Sequence, residues 1–454
     1  MRIVVLIFSI LLYFACDQQG TLSSWESLSI CLFVYFLLDF LAGLGNRIVI
    51  LDLSLIIASL TCLLLPVIFY HTYTVTNPLA KLWAKYMPIP SDEYFSFAVP
   101  SVIAMAIGYR IPVVRLKYSS NPKRYLDNVK EYLADKPKLG LILIGVGVGS
   151  GIVGLVMPAI LKEVFFLSSH LTFVGVFYVI YSPRKNKRNV IIFVLTLMLG
   201  QTIATGMFGE MVNMLACSVV LILLGRKISF PLKLGIAVAG VFFLLVLQAV
   251  KIDYRKRTWH EDTGADPFYF GQLITEKTTD PSALFDNPNK LFFVAVRANQ
   301  GWLVARTMYS VPNRFPFANG ETIWESVAAA IVPRLLWPDK PESGGKANLK
   351  RFWGYNLSGF SMNIGPMGEA YANFGAFGGI IYMFFYGLFF NVMMSIILKK
   401  AERRPSLVLW IPFLFFYAIG VETDLLTTMG SLIKGVMFTA IVFWVFRARF
   451  NIKL

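Results

Sequence analysis

The 454-residue chain is 56% hydrophobic and only 15% charged, and its net charge at pH 7 is +16. Soluble domains carry about 25% charged residues, so a mean hydropathy of +0.64 excludes a soluble globular protein. The apolar residues form continuous runs rather than the alternating pattern of barrel strands, which predicts a membrane protein built from helices. Most Lys and Arg residues lie in short connectors, so the positive charge indicates helix orientation, and we predict no nucleic-acid partner.

Twelve apolar runs predict an all-α polytopic protein of about 12 transmembrane helices, several of them short for a full crossing. The runs cover residues 3–16, 25–43, 48–71, 94–114, 138–158, 164–181, 188–206, 208–225, 230–250, 370–398, 406–421 and 432–448. We interpret the first run as a retained helix, because Tyr13, three residues before Cys16, fits lipoprotein processing poorly. The chain then divides into helices 1–9 (residues 1–250), a long polar segment (residues 251–369) and helices 10–12 (residues 370–454).

Charge in the connectors predicts the orientation of these helices. Lys and Arg crowd the connectors after the second, fourth, sixth, eighth and tenth helices and the end of the chain, whereas the alternate connectors contain few. The positive-inside rule therefore places both termini in the cytoplasm. Residues 251–369 then form a large periplasmic loop between helices 9 and 10.

The large loop is too patterned to be a linker. Residues 291–308 and 322–336 each predict a helix, the second ending before Trp337-Pro338. A smaller outer loop, residues 71–93, is expected to pack against it. The chain shows no internal repeat, so its sequence gives no support to an inverted-repeat transporter.

Basic residues are concentrated in the large loop, at Arg297, Arg306, Arg314, Arg334 and Lys340. A guanidinium presents a fixed fork of donors that matches a phosphate bidentately, and it stays charged in a dry site. These residues are therefore candidates for binding the pyrophosphate of a lipid-linked substrate. The alternative is a basic loop that contacts anionic headgroups or remains solvated.

The spacing of two of these arginines limits how they can act. Arg297 and Arg306 are nine residues apart, which places them on opposite faces of a straight helix. They can reach one phosphate only if the helix breaks, for instance near Gly301. Otherwise they serve different ligands.

Acidic residues stand where outer loops meet helices. Glu369 lies at the start of the tenth span, followed by Tyr371 and Asn373, which are further candidates for substrate binding. A carboxylate here could accept a proton from a sugar hydroxyl, or it could simply stabilise a helix N-terminus through the dipole. Glu422 and Asp424 form a second outer pair with the same two interpretations.

Charged residues inside the spans are costly in lipid. Asp39, Asp52 and Lys434 are therefore expected to face a cavity or each other. His170 is interpreted as a buried, hydrogen-bonded residue rather than a ligand. The cysteines and histidines show no metal-ligand spacing, so we predict neither a metal site nor a cofactor.

Two stretches, one in the loop and one at its junction with the tenth span, resemble the bacterial O-antigen and exopolysaccharide repeat-unit polymerases. They are Gly320 with IVPRLLWPDKP at residues 331–341, and GEAYANFG at residues 368–375. The many-helix, GT-C-like topology with a large late loop is also similar. The sequence departs from some relatives at residues 421–424, which read VETD where those relatives place an arginine.

The resemblance implies a metal-independent membrane glycosyltransferase of the bacterial inner membrane. In that family a growing glycan on undecaprenyl pyrophosphate is transferred to the terminal sugar of a lipid-linked repeat unit, and undecaprenyl pyrophosphate leaves. Arg334 and Glu369 carry over by motif as catalytic residues. Arg297 and Arg306 carry over by position and charge, and Asn373 as a supporting hydrogen bonder. The implied partners are the undecaprenyl-pyrophosphate-linked oligosaccharide and the lipid bilayer, with a chain-length regulator and a flippase as further candidates.

Three other functions compete with a polymerase. An O-antigen ligase has a similar fold and the same donor but a different acceptor. A polyprenyl-monophosphate-sugar glycosyltransferase usually carries acidic residues in its first outer loop, where this chain offers only Asp17 and Glu26. A transporter or flippase of lipid-linked oligosaccharide needs polar residues spread across many spans, whereas here they are concentrated in one loop.

Overall fold

The computed structural model describes residues 2–17, 20–119, 121–206, 208–257, 264, 266–280, 287–332, 336–341, 343–356 and 362–454. These residues form helices and connections, with no strand among them. The helices are α1 (Arg2–Asp17), α2 (Ser24–Gly43), α3 (Ile50–Ser59), α4 (Leu65–Thr72), α5 (Pro78–Trp83), α6 (Ser91–Arg110), α7 (Lys123–Leu133), α8 (Leu139–Val156), α9 (Ala159–Ser169), α10 (Leu171–Tyr181), α11 (Lys187–Thr205), α12 (Gly209–Leu223), α13 (Phe230–Arg255), α14 (Pro267–Thr279), α15 (Pro288–Ala298), α16 (Gly301–Ser310), α17 (Glu321–Ile331), α18 (Lys346–Trp353), α19 (Gly365–Ala401), α20 (Ile411–Phe415) and α21 (Leu425–Phe450). A π-helical stretch, Leu60–Leu64, joins α3 to α4, and a 3₁₀ stretch, Pro405–Trp410, precedes α20.

The architecture is that of a multi-pass membrane protein. Within the described residues, eight helical stretches are long and apolar enough to cross a membrane. They are Ser24–Gly43, Ile50–Thr72, Leu139–Val156, Leu161–Tyr181, Lys187–Ala204, Phe230–Arg255, Gly365–Ala401 and Leu425–Phe450. The other four predicted spans coincide with α1, α6, α12 and the Pro405–Phe415 stretch, which are shorter or more charged. The count of twelve crossings and the side that each loop faces stay predictions.

The helices that flank the predicted large loop extend a few residues into it. Helix α13 continues to Arg255 and α19 begins at Gly365, and the segment between them, residues 256–364, is called the cap segment below. The predicted helix 322–336 ends earlier, at Ile331, because Val332 takes an extended conformation with ψ of 124°. These shifts of a few residues are typical of element boundaries read from sequence.

The predicted single helix at 291–308 is wrong, because the chain leaves the helix at Asn299 and Gln300. The N–H of Gln300 donates to the carbonyl of Thr61, 3.0 Å away on the π-helical stretch, instead of to its own helix. The Asn299 side chain then accepts the N–H of Trp302 at 3.3 Å and starts α16. A tertiary hydrogen bond therefore breaks the apolar run into α15 and α16.

The prediction that the two outer loops cover one another is confirmed. The smaller loop and the cap segment contribute to one buried core, which includes Ala80 of the loop and Phe292, Trp302 and Phe352 of the cap segment. Ring contacts join the same loops, with Tyr73 and Phe292 at 5.2 Å and Trp83 and Phe293 at 5.1 Å between centroids. The cap segment is thus packed on the helix bundle rather than hanging from it.

Close backbone packing fixes the position of α19 against α6. A Cβ placed on Gly108 would lie 2.3 Å from the carbonyl oxygen of Phe384, and one on Gly387 would lie 2.3 Å from that of Met105. Near its start, α19 bends at Gly375, whose φ of 66° favours glycine. The bend turns the first turns of α19 toward the cap segment, where the side chain of Asn373 contacts Thr322 at 2.7 Å.

A quartet of charges with two buried carboxylates joins α2, α3 and α6 at the other end of the bundle. Arg47 contacts Asp39 at 2.7 Å and Asp52 at 3.0 Å, and Arg110 contacts the same carboxylates at 2.9 and 3.6 Å. Asp39 and Asp52 therefore face each other, as predicted, and share Arg47 and Arg110 as ion-pair partners. Lys434 does not join them, because it pairs with Glu163.

We expect Asp39→Asn to lower the free energy of unfolding by about 3 kcal/mol, because two arginines would then share one buried carboxylate. Denaturant unfolding of the purified protein in detergent micelles would measure the change. Asp127→Asn is the matched control, since Asp127 pairs with Lys130 on an exposed face of α7 and should cost at most about 1 kcal/mol. Equal losses in both variants would contradict a stabilising role for the quartet.

Candidate functional site

A cavity of about 550 Å³ opens where the cap segment meets the ends of the helices. Its walls come from the C-terminal turns of α13, from α15 and the start of α16, and from the residues just before α19 and α21. The lining residues are Lys85, Gln248, Lys251, Ile252, Arg255, Phe293, Val294, Val296, Arg297, Gln300, Trp302, Leu303, Met362, Asn363, Glu422 and Thr423. A concave site with an apolar lining and a few convergent polar groups is typical of ligand binding.

The charges in this cavity are strongly unbalanced. Lys85, Lys251, Arg255 and Arg297 line it, and Glu422 is the one carboxylate among the lining residues. Lys251 is 9% exposed. Lys85 and Arg255 are half-buried and Arg297 is exposed. Like charges that line one cavity repel each other, so the cavity is suited to an anionic ligand.

The basic residues of α13 reach the cavity because of their spacing. Gln248, Lys251, Ile252 and Arg255 follow one another at i, i+3, i+4 and i+7, which places them on one helix face. The guanidinium of Arg255 donates to the carbonyl oxygen of Gly206 from Nε at 2.9 Å and from Nη2 at 2.7 Å. Arg255 is thereby held at the C-terminal end of α11, where a positive charge is favoured.

Arg297 enters the cavity from α15, which is tied to α13 by an ion pair. Lys290 Nζ lies 2.9 Å from a carboxylate oxygen of Asp253. The break at Asn299 and Gln300 ends α15 directly after Arg297, so this arginine stands at a helix end beside the Lys251 ammonium group.

Several polar groups of the cavity have no protein partner. Among the described residues, Lys251 and Arg297 have no hydrogen bond and no ion pair, and Lys85 lies only near the Phe293 ring, at 5.8 Å. The side-chain oxygens of Gln300 and Asn363 are buried without a hydrogen-bond partner. Desolvation lowers the pKa of the Lys85 amine below its ordinary value, and repulsion by Arg297 lowers it further.

Arg306 and Arg314 lie outside the cavity, in a second cluster. Their guanidinium groups approach one ring, that of Tyr309, at 5.8 and 5.2 Å. Arg306 also donates to the hydroxyl of Tyr355 at 3.0 Å. The break in the predicted helix therefore does not bring Arg297 and Arg306 to one site.

Glu369 and Asn373 lie together in a buried junction rather than in the cavity. Both side chains are 0% exposed. The Glu369 carboxylate accepts the N–H of Leu425, the first residue of α21, at 3.1 Å. Asp424 caps the same helix, accepting from Thr427 at 3.0 Å and from Gly345 of the cap segment at 3.1 Å.

The Asn373 amide extends this junction to the cap segment. Its NH₂ group donates to Thr322 at 2.7 Å and to the Glu369 carbonyl at 2.8 Å, and its oxygen accepts the N–H of Gly320 at 3.0 Å. Because Asn373 uses both ends of its amide here, the structure gives it a role in holding α17 against α19.

The remaining predicted site residues are scattered. Tyr371 packs its ring edge on Phe97 at 5.2 Å. Lys340 donates to the carbonyl oxygen of Val332, at the end of α17, at 2.9 Å. Arg334 lies outside the described residues.

In the part of the chain that the structure describes, no three His, Cys, Asp or Glu side chains come close enough together to bind a metal ion. His170 is buried, and its Nδ1 lies 2.8 Å from the carbonyl oxygen of Phe166. This agrees with the interpretation of His170 as a hydrogen-bonded core residue.

Sequence reasoning missed Lys251 and Arg255 as site residues. They end an apolar span, where basic residues usually serve to anchor a helix at the membrane surface. Their i, i+4 spacing, continued back to Gln248, was a signal of one polar face on an otherwise apolar helix. Nothing in the sequence could place Lys85 beside them, since that contact depends on packing between the two outer loops.

Residues 116–405 match a protein family described as a domain of unknown function (DUF8712). The match covers more than half of the chain. The chain belongs to this family. The DUF8712 region contains Lys251 and Arg255 of α13 and the whole cap segment with Arg297. Lys85 and Glu422 lie outside it.

Two curated relatives of this DUF8712 chain are the O-antigen polymerases of Salmonella typhimurium and Salmonella typhi. Each is 32% identical to it over 113 residues, which is 24% of this chain and 27% of the relative. The chain thus spans about a quarter of the length of the curated relatives it matches. No solved structure matches. This local similarity agrees with the resemblance of the sequence to repeat-unit polymerases.

We expect Arg297→Gln to raise the pKa of Lys85, because one source of the repulsion that lowers it is removed. Bound inorganic pyrophosphate should also raise that pKa, since an anion favours the charged amine. Competitive acetylation of lysines across a pH series, read by mass spectrometry of the peptide that carries Lys85, measures it. Arg306→Gln, in the second cluster, should leave the Lys85 pKa unchanged. An unchanged pKa in Arg297→Gln would show that the two residues do not share the cavity.

Proposed function

We propose that this protein is a membrane glycosyltransferase that polymerises lipid-linked oligosaccharide repeat units. A hydroxyl oxygen of the acceptor sugar bonds to the anomeric carbon of the donor glycan. The bond from that carbon to the pyrophosphate oxygen breaks, and undecaprenyl pyrophosphate leaves with the electron pair. The hydroxyl proton passes to a base. The product is a longer O-antigen or exopolysaccharide chain at the periplasmic face of the inner membrane.

The cationic cavity is the observation that carries this proposal. Its four basic side chains would hold the donor pyrophosphate, and hydrogen bonds from charged donors to phosphate are among the strongest in proteins. The same groups would stabilise the charge that grows on the leaving oxygen. Each preorganised donor in such a site contributes about 3–4 kcal/mol to catalysis.

The surface of α13 supports a lipid-linked ligand in particular. Phe242, Phe243, Leu244 and Leu245 are exposed on α13 less than three turns before Lys251. In a bilayer these apolar side chains would contact lipid, and the basic residues would follow at the end of the span. A polyprenyl chain beside α13 could thus stay in the membrane while its pyrophosphate enters the cavity.

The structure favours Glu422 over Glu369 as the base. Glu422 is exposed and lines the cavity with Lys251. Glu369 is buried and accepts the amide of Leu425, three residues beyond Glu422. We therefore propose Glu369 as a positioning residue that holds the start of α21, and with it the Glu422 carboxylate. Arg334 stays a proposed site residue on its motif.

The first outer loop gives no support to a polyprenyl-monophosphate-sugar enzyme. Glu26 is 4% exposed and is occupied by the capping box of α2 and by Ser91, whose hydroxyl donates to it at 2.7 Å. Asp17 accepts the hydroxyl of Ser24 at 3.0 Å. Neither carboxylate is presented to the cavity.

The polymerase proposal is tested with purified protein in liposomes and undecaprenyl-pyrophosphate-linked repeat units from the host. We expect a ladder of products with released undecaprenyl pyrophosphate. Arg297→Gln and Lys251→Gln should each lower the rate about 100-fold or more. Lys350→Gln removes an exposed charge from α18 and should leave the rate unchanged. A folded protein that makes no polymer, but joins glycan to a lipid A core acceptor, would instead be a ligase.

A second prediction separates the two carboxylates. Glu422→Gln should reduce the transfer rate about 100-fold or more, as for loss of a general base, while donor binding persists. Glu369→Gln preserves the shape and can still accept the Leu425 amide, so the transfer rate should fall less. Single-turnover transfer and donor binding are measured side by side. If Glu369→Gln abolishes transfer in a folded protein while Glu422→Gln does not, the two roles are reversed.

A further inference from the structure

The second basic cluster is built around one tyrosine of α16. Arg306 and Arg314 both approach the Tyr309 ring, at 5.8 and 5.2 Å. The hydroxyl of Tyr355 accepts from Arg306 at 3.0 Å, and that of Tyr309 accepts from Arg314 at 3.4 Å. The tyrosines thus hold both guanidinium groups over one patch of surface.

The structure positions Tyr355 through the end of α18. The indole N–H of Trp353 donates to the hydroxyl of Thr307 at 3.2 Å, which fixes α18 on α16. The Tyr355 ring then stands edge-on to Trp353 at 5.9 Å and remains 45% exposed. The Arg306 contact is therefore part of a packed arrangement and not a chance approach of two mobile side chains.

The two arginines have no carboxylate partner among the described residues. Their neighbour Arg351 differs, because it forms an ion pair with Glu321 on α17. Arg314 is exposed and Arg306 is half-buried. Each guanidinium can therefore direct donors toward a ligand, and the planar fork suits a phosphate group.

The cluster and the cavity are connected but distinct. Trp302 lines the cavity, and its ring lies 6.0 Å from that of Trp353, which contacts Tyr355. A row of three rings thus leads from the cavity to Arg306. Arg306 and Arg314 are not among the residues that line the cavity, so we treat the two cationic groups as separate sites.

Polymerisation needs two anion sites, since donor and acceptor are both lipid-linked pyrophosphates. The sugars of the acceptor repeat unit separate its pyrophosphate from the hydroxyl that reacts. We propose that Arg306 and Arg314, held by Tyr309 and Tyr355, bind the pyrophosphate of the acceptor while the cavity binds that of the donor. This inference rests on the proposed polymerase function, and a ligase acting on a lipid A core would not need the second site.

Counting bound pyrophosphates tests this inference. Full-length protein in phosphatidylcholine nanodiscs is titrated with farnesyl pyrophosphate, and native mass spectrometry counts the bound molecules. The wild type should bind two. The double variant Arg306→Gln/Arg314→Gln should lose about tenfold or more in affinity at one site, and Lys251→Gln/Arg297→Gln should lose the other. Lys350→Gln, the matched control, should still bind two.

Tyr355→Phe provides a variant that leaves every charge in place. It removes only the hydroxyl that holds Arg306, so it should weaken the second site while the first site keeps its affinity. Thermal unfolding of each variant shows whether the fold is retained. A wild type that binds one molecule, or unchanged binding of two in both second-cluster variants, would overturn the inference.

Further outcomes distinguish failure of the second-site inference from failure of the polymerase proposal. If the protein makes polymer but binds one pyrophosphate, the second site is wrong and the polymerase proposal stands. If it binds none and makes no polymer, the polymerase proposal itself fails. Nanodiscs that also contain phosphatidylglycerol test for an ordinary headgroup. Displacement of farnesyl pyrophosphate from the second cluster by that lipid would show a membrane contact and overturn the acceptor site.

Discussion

Mutual repulsion among the cavity cations is the constraint on which the rest of the site depends. Four basic side chains and one carboxylate line the cavity. Because the four positive charges repel each other, the helices that carry them must be held in place by other contacts. Arg255 is held by the carbonyl of Gly206, and Lys290 ties α15 to α13 through Asp253. The break before α16 is fixed by the bond from Gln300 to Thr61. Each support acts on the backbone or on a neighbouring charge and leaves the Lys251 and Arg297 donors free of protein acceptors.

The buried junction of Glu369, Asn373 and Asp424 provides hydrogen-bond acceptors at the starts of helices. Two helices, α19 and α21, begin side by side under the cap segment, and the N–H groups at their first turns need acceptors. Asp424 and Glu369 supply these acceptors to α21, and Asn373 joins α19 to the cap segment. Residues 363 and 422, which line the cavity, stand directly before these two helices. The hydrogen bonds made at the N-termini of these helices therefore fix one wall of the site.

Residue chemistry and spacing predicted much of this arrangement but not the contacts across the chain. Apolar runs located the helices, and the density of arginine located the cap segment as the region of interest. The spacing argument for Arg297 and Arg306 left two possibilities open, and the structure places them in separate clusters despite the break. Glu369 was expected at an accessible mouth because its position along the chain is a boundary. Its burial depends on Leu425, 56 residues away, and no local pattern contains that information. Lys85 is missed for the same reason.

Comparing the two ends of the bundle shows why residue type alone could not identify the site. Arg47 and Arg110 lie at one end and Lys251 and Arg297 at the other. In the sequence, Arg47, Arg110 and Lys251 all stand near the borders of apolar runs. The structure pairs the first two with Asp39 and Asp52, so their charge is neutralised and stabilises helix packing. Lys251 and Arg297 form no ion pair within the described residues, and Glu422 is the one carboxylate among the residues that line their cavity. Lys251 is buried, and a buried charge without an ion-pair partner carries a free-energy cost. A ligand of opposite charge would offset that cost, which is why we place the proposed substrate site at these unpaired cations rather than at the paired ones.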